Sequence, residues 1–437
     1  MRRLPLNTQR KWFAIGLMVV FGLGLAWHFS PGLPVMFGPY ASASTKQAGY
    51  ELFVHEWQPN DPLSHGDGVG PVFNANSCVA CHNQGGAGGG GDNSHNVHNF
   101  QVLPSSRDPE FHEGTVHAEA IGTQFVETFQ MVRDRFPIIR GSVTTRTENH
   151  CTYTVQIPDF DPLRQESIQT TALWGAGWAD RISPKAILSN RRGNLFRGAV
   201  REFNLDFDTI PAGRARILPD GRVGKFGWKA QFATLEEFVA AACANELGLG
   251  TPKSRQAKPI SQPDYPDQEP DLNRKQFRAL VAFVDTLPKP IEINSDDQRA
   301  AHGKDVFKQV GCAVCHVPDM GGVKGVYTDF LLHRITDPNG NGGSSYGGPA
   351  PPDTPLPGDR PHPDEWKTPA LWGVADSAPY MHDGSASTLE AAITKHGGDA
   401  KTVREAYHKL TPDDQAALIA FLKTLKAPPG TTVVASK

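Results

Sequence analysis

The chain has 437 residues, 39% of them hydrophobic and 20% charged, with a net charge near −3 and no long charged runs. That length holds two or three domains of ordinary size with adequate cores. The charge balance excludes a nucleic-acid-binding surface. High glycine and proline, 44 and 36 residues, point to long loops.

Residues 1–43 differ from the rest. Arg2, Arg3, Arg10 and Lys11 precede the apolar run WFAIGLMVVFGLGLAW, residues 12–27. A helix of that length extends about 24 Å, and continuation through Phe29 brings it close to the ~30 Å hydrocarbon core. The basic flank keeps the N-terminus in the cytoplasm and sends the body across the membrane. Two readings stay open: an uncleaved anchor over 12–29, which we take, or a signal peptide cut near the ASA of residues 41–43. Either way the body is periplasmic or otherwise extracytoplasmic.

Further along, segments repeat. Gly49-x-x-Leu52-Phe53 returns as Gly303-x-x-Val306-Phe307, TALWG (171–175) as PALWG (369–373), and ALVAFVDTL (279–287) as ALIAFLKTL (417–425). The last pair has helical periodicity: Phe277, Leu280, Val281 and Val284 share one face, as do Leu418, Phe421, Leu422 and Leu425. Pro288 and Pro428 stop each helix, and Thr411 caps the second. The order predicts two related helical domains, 45–288 and 295–428, with a disordered tail over 429–437. The first is enlarged by an insert whose stretch VTTRTENHCTYTVQIPDF (143–160) predicts a β-hairpin. Residues 251–271 and 337–365 read as proline- and glycine-rich loops.

Each half also carries one Cys-x-x-Cys-His: Cys78, Cys81 and His82 in the first, Cys312, Cys315 and His316 in the second. A structural zinc site takes four ligands from one small module, whereas these pairs lie in separate repeats. A thioredoxin-like dithiol needs a βαβ setting and has no use for the histidine. Two covalently bound c-type haems satisfy every part: the thiols add to the vinyl groups, and His82 and His316 become axial ligands. The fold class is therefore mainly α, two cytochrome c-like helical domains in tandem, the first enlarged by an insert with some β-hairpin. Cys151 and Cys243 remain, either bridged or as free thiols.

FNANSCVACHNQGG (73–86), GRVGKFGWKAQFATLEEFVAAA (221–242) and TPALWGVADSAPYMHDGSASTLEAAI (368–393) resemble the bacterial di-haem cytochrome c peroxidase superfamily, more narrowly its di-haem oxidoreductase branch, over about residues 49–426. The resemblance implies that electrons from a small cytochrome or cupredoxin arrive at the C-terminal haem. They then pass to a catalytic N-terminal haem that reduces hydrogen peroxide or a related oxidant. It implies a second ligand to the C-terminal iron fourteen residues beyond His382, which here is His396 in place of the family's methionine. Met320 and Met381 are rival ligands. A carboxylate or glutamine is implied near the N-terminal iron, with Asp180 the first choice and Glu202 and Gln124 behind it. His98 lies sixteen residues after His82, the separation of a displaceable ligand in some relatives; the alternative is a loop in which His95 and His98 are solvated. A tryptophan relay among Trp174, Trp178 and Trp372 is a further expectation, as is calcium between the domains near Ser377, Pro379 and Gln169. The alternatives are a non-enzymatic electron carrier and a di-haem oxidase acting on an organic or protein donor. Oligomeric state is not readable.

Overall fold

The structure is a computed structural model; it describes residues 38–105, 107–148, 151–193, 212–293, 297–336 and 359–429. The anchor segment 12–29, Glu202, most of the 337–365 loop and the tail from 430 lie outside the described residues. No helix among the described residues is long and apolar enough to cross a membrane.

The repeated peptides form the two principal helix pairs. Helix Ala43–Val54 packs on helix Arg274–Asp285, and helix Gln298–Val310 packs on helix Pro412–Leu422. Their caps follow from sequence. Asn273 and Gln276 make a reciprocal capping box, and the Thr411 hydroxyl accepts the Asp414 N–H at 3.2 Å with proline in the first turn.

The repeated glycines set how closely the helices cross. A Cβ on Gly49 would lie 2.1 Å from the Ala279 carbonyl oxygen; one on Gly303 would lie 1.8 Å from that of Ala417. Ala279 and Ala417 are equivalent positions of the repeated helix, so both halves use one crossing. Leu52 and Phe53 then enter one core, with Phe277 and Leu280. Val306 and Phe307 enter the other, with Leu418, Phe421 and Leu422. Gly303→Val is expected to cost at least about 3 kcal/mol, because overpacking at backbone-to-backbone contact has no soft side chain to yield. Urea denaturation followed by far-UV circular dichroism measures it, and an unchanged midpoint would contradict the crossing.

Strand content exceeds the mainly helical expectation, and the architecture is mixed. The insert holds an antiparallel three-stranded sheet in the order His112–Val116, Val97–Val102, Leu163–Ile168. Phe100, Val102, Val116 and Leu163 bury one of its faces against Val132. The hairpin expected within 143–160 is present as Ser142–Glu148 paired with Cys151–Ile157, and its residues are largely exposed. Short ladders do the remaining work: Leu332–Arg334 pairs with Glu365–Lys367, and Ile291–Glu292 with Leu425–Lys426.

A Cys151–Cys243 bridge is ruled out. Cys151 is exposed at the start of a hairpin strand, whereas Cys243 is buried in helix Leu235–Glu246, and both are free thiols.

Candidate haem-binding sites

The two Cys-x-x-Cys-His stretches fold alike despite different surroundings. Ser77 caps the single turn Cys78–Cys81, its hydroxyl accepting the Ala80 N–H at 3.3 Å. The second turn, Cys312–Val314, is entered through Gly311 at φ +99°, a left-handed conformation suited to glycine. The His82 N–H donates to the Cys78 carbonyl at 3.0 Å, and the His316 N–H to that of Cys312 at 2.9 Å. Cys78 packs against the first core and Cys312 against the second. The four cysteines therefore do not converge on one four-thiolate metal site.

Both histidines are oriented in the same way. His82 Nδ1 donates to the Gly89 carbonyl and His316 Nδ1 to the Tyr327 carbonyl, each at 3.1 Å. That fixes the tautomer and leaves Nε2 as the free donor atom of each ring, the usual second contact of a metal-binding imidazole. Burial pushes both rings down to about 4, so they are neutral and able to ligate at neutral pH. The Cys78, Cys81 and Cys312 thiols are pushed up to about 12, chiefly by burial.

His396 follows helix Leu389–Thr394, and its Nδ1 donates to the Ala392 carbonyl at 2.7 Å. Its ring centroid lies 6.5 Å from that of His316. Two imidazoles bound through Nε2 to one metal at about 2 Å each have centroids about 6 Å apart, so the spacing suits a shared iron. Met320 is instead buried in the first core. Among the described residues no imidazole pairs with His82 in this way; the ring beside it is Phe53, at 6.4 Å. His98 is exposed with its edge against Phe129, and His95 is bonded to Asp92 at 3.2 Å.

Asp180 lies in helix Ala176–Arg181. Its Oδ1 accepts the Leu235 N–H at 3.0 Å, at the start of helix Leu235–Glu246, and sits 3.6 Å from Lys225 Nζ. Lys225 is buried, and that burial lowers its pKa. Gln124 is exposed, with its carbonyl accepting from the Ser261 hydroxyl.

The repeated Leu-Trp-Gly motifs exchange partners. Trp174 packs over Gly373, and Trp372 over Gly175, both glycines having positive φ. Trp174 also covers Gly85, three residues after His82, and the Leu173 N–H donates to the Gly88 carbonyl at 2.8 Å. Both indole Nε1 atoms are buried without a hydrogen-bond partner, as is Arg404 Nη1 in helix Lys401–His408. Such donors suit carboxylates like those on a haem edge, and with the histidine geometry they fit the group. Trp178 stands apart, against Gly38 with Lys289 over its ring.

Side-chain amides stitch the seam between the halves. Gln84 Nε2 donates to the Ala378 carbonyl at 2.9 Å, Asn93 Nδ2 to Gly384 at 3.1 Å, and Asn96 Nδ2 to Asp383 at 3.0 Å. The Gln169 N–H donates to His382, whose ring stacks on Trp366 at 3.6 Å. Calcium takes six to eight oxygens. Here the Gln84 and Gln169 side-chain oxygens are buried and unpartnered, but Gln84 and Gln169 turn N–H groups toward the neighbouring carbonyls. Asp376 is engaged by Lys426 and the Ala427 N–H, and Asp383 by the Ser385 N–H. The contacts at Ser377, Pro379 and Gln169 do not by themselves show a calcium site.

A buried cluster in the insert escaped the sequence reading. Glu127 Oε2 accepts both the backbone N–H and Nδ1–H of His117, each at 2.8 Å. No spacing signal marks the pair.

Comparisons with known proteins agree in kind. The family described as "Di-haem oxidoreductase, putative peroxidase" matches residues 260–425. Cytochrome c551 peroxidase of Nitrosomonas europaea is 25% identical over 45% of this chain and 60% of its own length. Methylamine utilization protein MauG of Methylorubrum extorquens is 28% identical over 39% of this chain and 49% of its own. The chain thus spans about half the length of these curated relatives. Among solved structures, a MauG-like protein associated with microbial copper homeostasis aligns at 19% identity and a TM-score of 0.32, over 58% of this chain and 94% of that one.

Proposed function

We propose that the chain is a member of the di-haem cytochrome c peroxidase superfamily, which the family match over residues 260–425 and the two curated relatives support, and that it is an extracytoplasmic enzyme that reduces hydrogen peroxide. In this reading Cys312, Cys315, His316 and His396 hold the haem that receives electrons from a small donor protein, and Cys78, Cys81 and His82 hold the haem that meets the oxidant. Bound there, the two groups supply one-electron storage and an oxidant-binding iron, and each turnover takes two electrons and two protons to convert peroxide into two waters.

The observation that carries the reading is the inequality of the two centres. A second imidazole stands 6.5 Å from His316, while Phe53 is the ring beside His82. A doubly ligated iron passes electrons; among the described residues no second imidazole stands opposite His82, which would leave room there for a substrate. Asp180 is assigned the handling of the substrate proton, with Lys225 and the Leu235 N–H holding its carboxyl in place. Trp174 and Trp372, crossed between the halves, are assigned the path for electrons.

Electron paramagnetic resonance of the oxidised and half-reduced protein tests this. The C-terminal centre is expected to be low-spin, and the N-terminal one to turn high-spin or accept cyanide in at least one state. Two centres that stay low-spin and inert in every state would sink the reading in favour of a carrier. Asp180→Asn should preserve both signals and slow peroxide turnover by roughly 10²- to 10⁴-fold.

A further inference from the structure

The buried cluster of the insert leads to the N-terminal haem motif. Glu246 ends helix Leu235–Glu246, and its carbonyl accepts the N–H groups of Asn74, at 2.7 Å, and Ala75, at 3.1 Å. Those two residues lead directly into Cys78. Its carboxyl Oε2 accepts Asn74 Nδ2 at 2.7 Å, and the Asn74 side-chain oxygen accepts the Ala118 N–H at 3.0 Å. One asparagine thus ties Glu246 to the residue next to His117.

His117 is held from behind. Its Nδ1 and backbone N–H both donate to Glu127 Oε2, while Glu127 Oε1 accepts the Ile260 N–H at 2.7 Å. The two side chains are 5% and 1% exposed. His117 Nε2 is buried with no hydrogen-bond partner. A buried, oriented imidazole with an unused nitrogen is costly unless it does something. No hydrogen bond among the described residues joins His117 to the Glu246 carboxyl; the bridge between them is Asn74, bonded to that carboxyl and to the Ala118 N–H.

We propose that Glu246 is the redox-linked proton site of the N-terminal haem: it binds one proton as that centre takes up one electron, with Asn74 holding its carboxyl beside the chain that leads into Cys78. This rests on the reading that Cys78, Cys81 and His82 hold a haem. The balance is one electron from the reduced donor protein and one proton from solvent, leaving Glu246 as a neutral acid. The chemical rationale is that an added electron near a carboxylate is stabilised when a proton neutralises that carboxylate. Burial raises the pKa of Glu246, which moves it toward the range where this exchange operates. Among the other titratable groups nearby, the buried Asp271 carboxyl is bound by the Ser64 hydroxyl and by the Gly68 and Gly250 N–H groups. Cys81 becomes a thioether, burial keeps the Cys243 thiol neutral, and Asp92, which faces Cys81, is held below the usual carboxylate range by Ser94. Glu246 is a positioning residue here, since it acts on the iron through charge.

The direction follows from linkage. Reduction raises the proton affinity of Glu246. Between its affinities in the oxidised and reduced states the midpoint potential falls as pH rises, and outside that window it is flat.

The test is a spectroelectrochemical titration of the N-terminal haem in the full haem-loaded chain at a series of pH values. The expected slope approaches one proton per electron, a tenfold change per pH unit or about 59 mV. Glu246→Gln should at least halve it while leaving the C-terminal haem unaffected. A wild-type slope near zero, or a full slope in Glu246→Gln, overturns the proposal. If the variant fails to fold, reduction-induced infrared difference spectra of the wild type decide. A carboxylic C=O band that appears on reduction and shifts in heavy water supports the proposal; no such band overturns it. Pyridine haemochrome assay separates the two levels: fewer than two attached haems refutes the site reading itself, while two haems with a flat slope refutes this inference alone.

Discussion

His396→Met is expected to raise the midpoint potential of the C-terminal haem by on the order of 100 mV, while keeping it low-spin. Imidazole donates more strongly than thioether to ferric iron, so a bis-histidine centre is held toward its oxidised state. The geometry makes the exchange specific. The two rings face each other at 6.5 Å, and His396 is oriented by the Ala392 carbonyl, 2.7 Å from Nδ1. Methionine carries a flexible thioether that reaches the same space without that hydrogen bond. His396→Gly should instead open the iron, giving a high-spin spectrum that exogenous imidazole returns to low-spin. Potentiometric titration with optical detection measures all three proteins. An unchanged potential and spectrum in both variants would mean that another group binds opposite His316.

The second large effect concerns the crossed tryptophans. Gly175→Ala and Gly373→Ala are each expected to destabilise the protein by about 2–5 kcal/mol, in two parts. Alanine in a left-handed conformation costs roughly 1–2 kcal/mol, and these glycines have φ of +76° and +66°. Overpacking adds roughly 1–3 kcal/mol, because the new Cβ would lie 2.5 Å from the Trp372 ring at Gly175 and 2.9 Å from the Trp174 ring at Gly373. Gly221 is the control: φ is +83°, yet nothing lies within 4 Å of its Cβ position. Gly221→Ala should show the conformational cost alone. The difference between the sets, read from denaturant midpoints, isolates the indole contact. Rapid-mixing measurement of electron arrival at the N-terminal haem should show slower transfer in Gly175→Ala and Gly373→Ala and an unchanged rate in Gly221→Ala. Equal losses at all three positions would remove the tryptophans from the interface energetics.

What was legible in the sequence was what is contiguous or repeated. Each Cys-x-x-Cys-His occupies five residues of one turn, so its chemistry is written in spacing. The helix crossings could be anticipated because Gly49 with Ala279 and Gly303 with Ala417 occur twice in the same order. His396 pairs with His316 in the sequence only through the family resemblance, since 80 residues separate them. Contacts made only by the tertiary fold stayed hidden. Trp174 reads as an ordinary core indole until Gly373, almost two hundred residues on, lies beneath it. His117 and Glu127 share no motif, and Glu246 looks like any acid near a helix end. The excess of strand arises from ladders two to six residues long, too short to stand out by alternation. The choice between a Cys151–Cys243 bridge and two free thiols stayed open in the sequence because counting cysteines says nothing about which side of a core each one faces; the structure has both free.

The ladder between Ile291–Glu292 and Leu425–Lys426 has a topological consequence. The chain passes into its second repeat and returns from it through adjacent strands, so both ends of that region meet at a single doorway. Just beyond it, Ala427 lies against Gly85 and Gly373. A region whose ends touch can be inserted, excised or circularly permuted with little change in its internal path. Its orientation toward the first repeat is then set by the indoles and amides at the seam, and changing the length of the connecting peptide should leave the separation of the two irons unaltered.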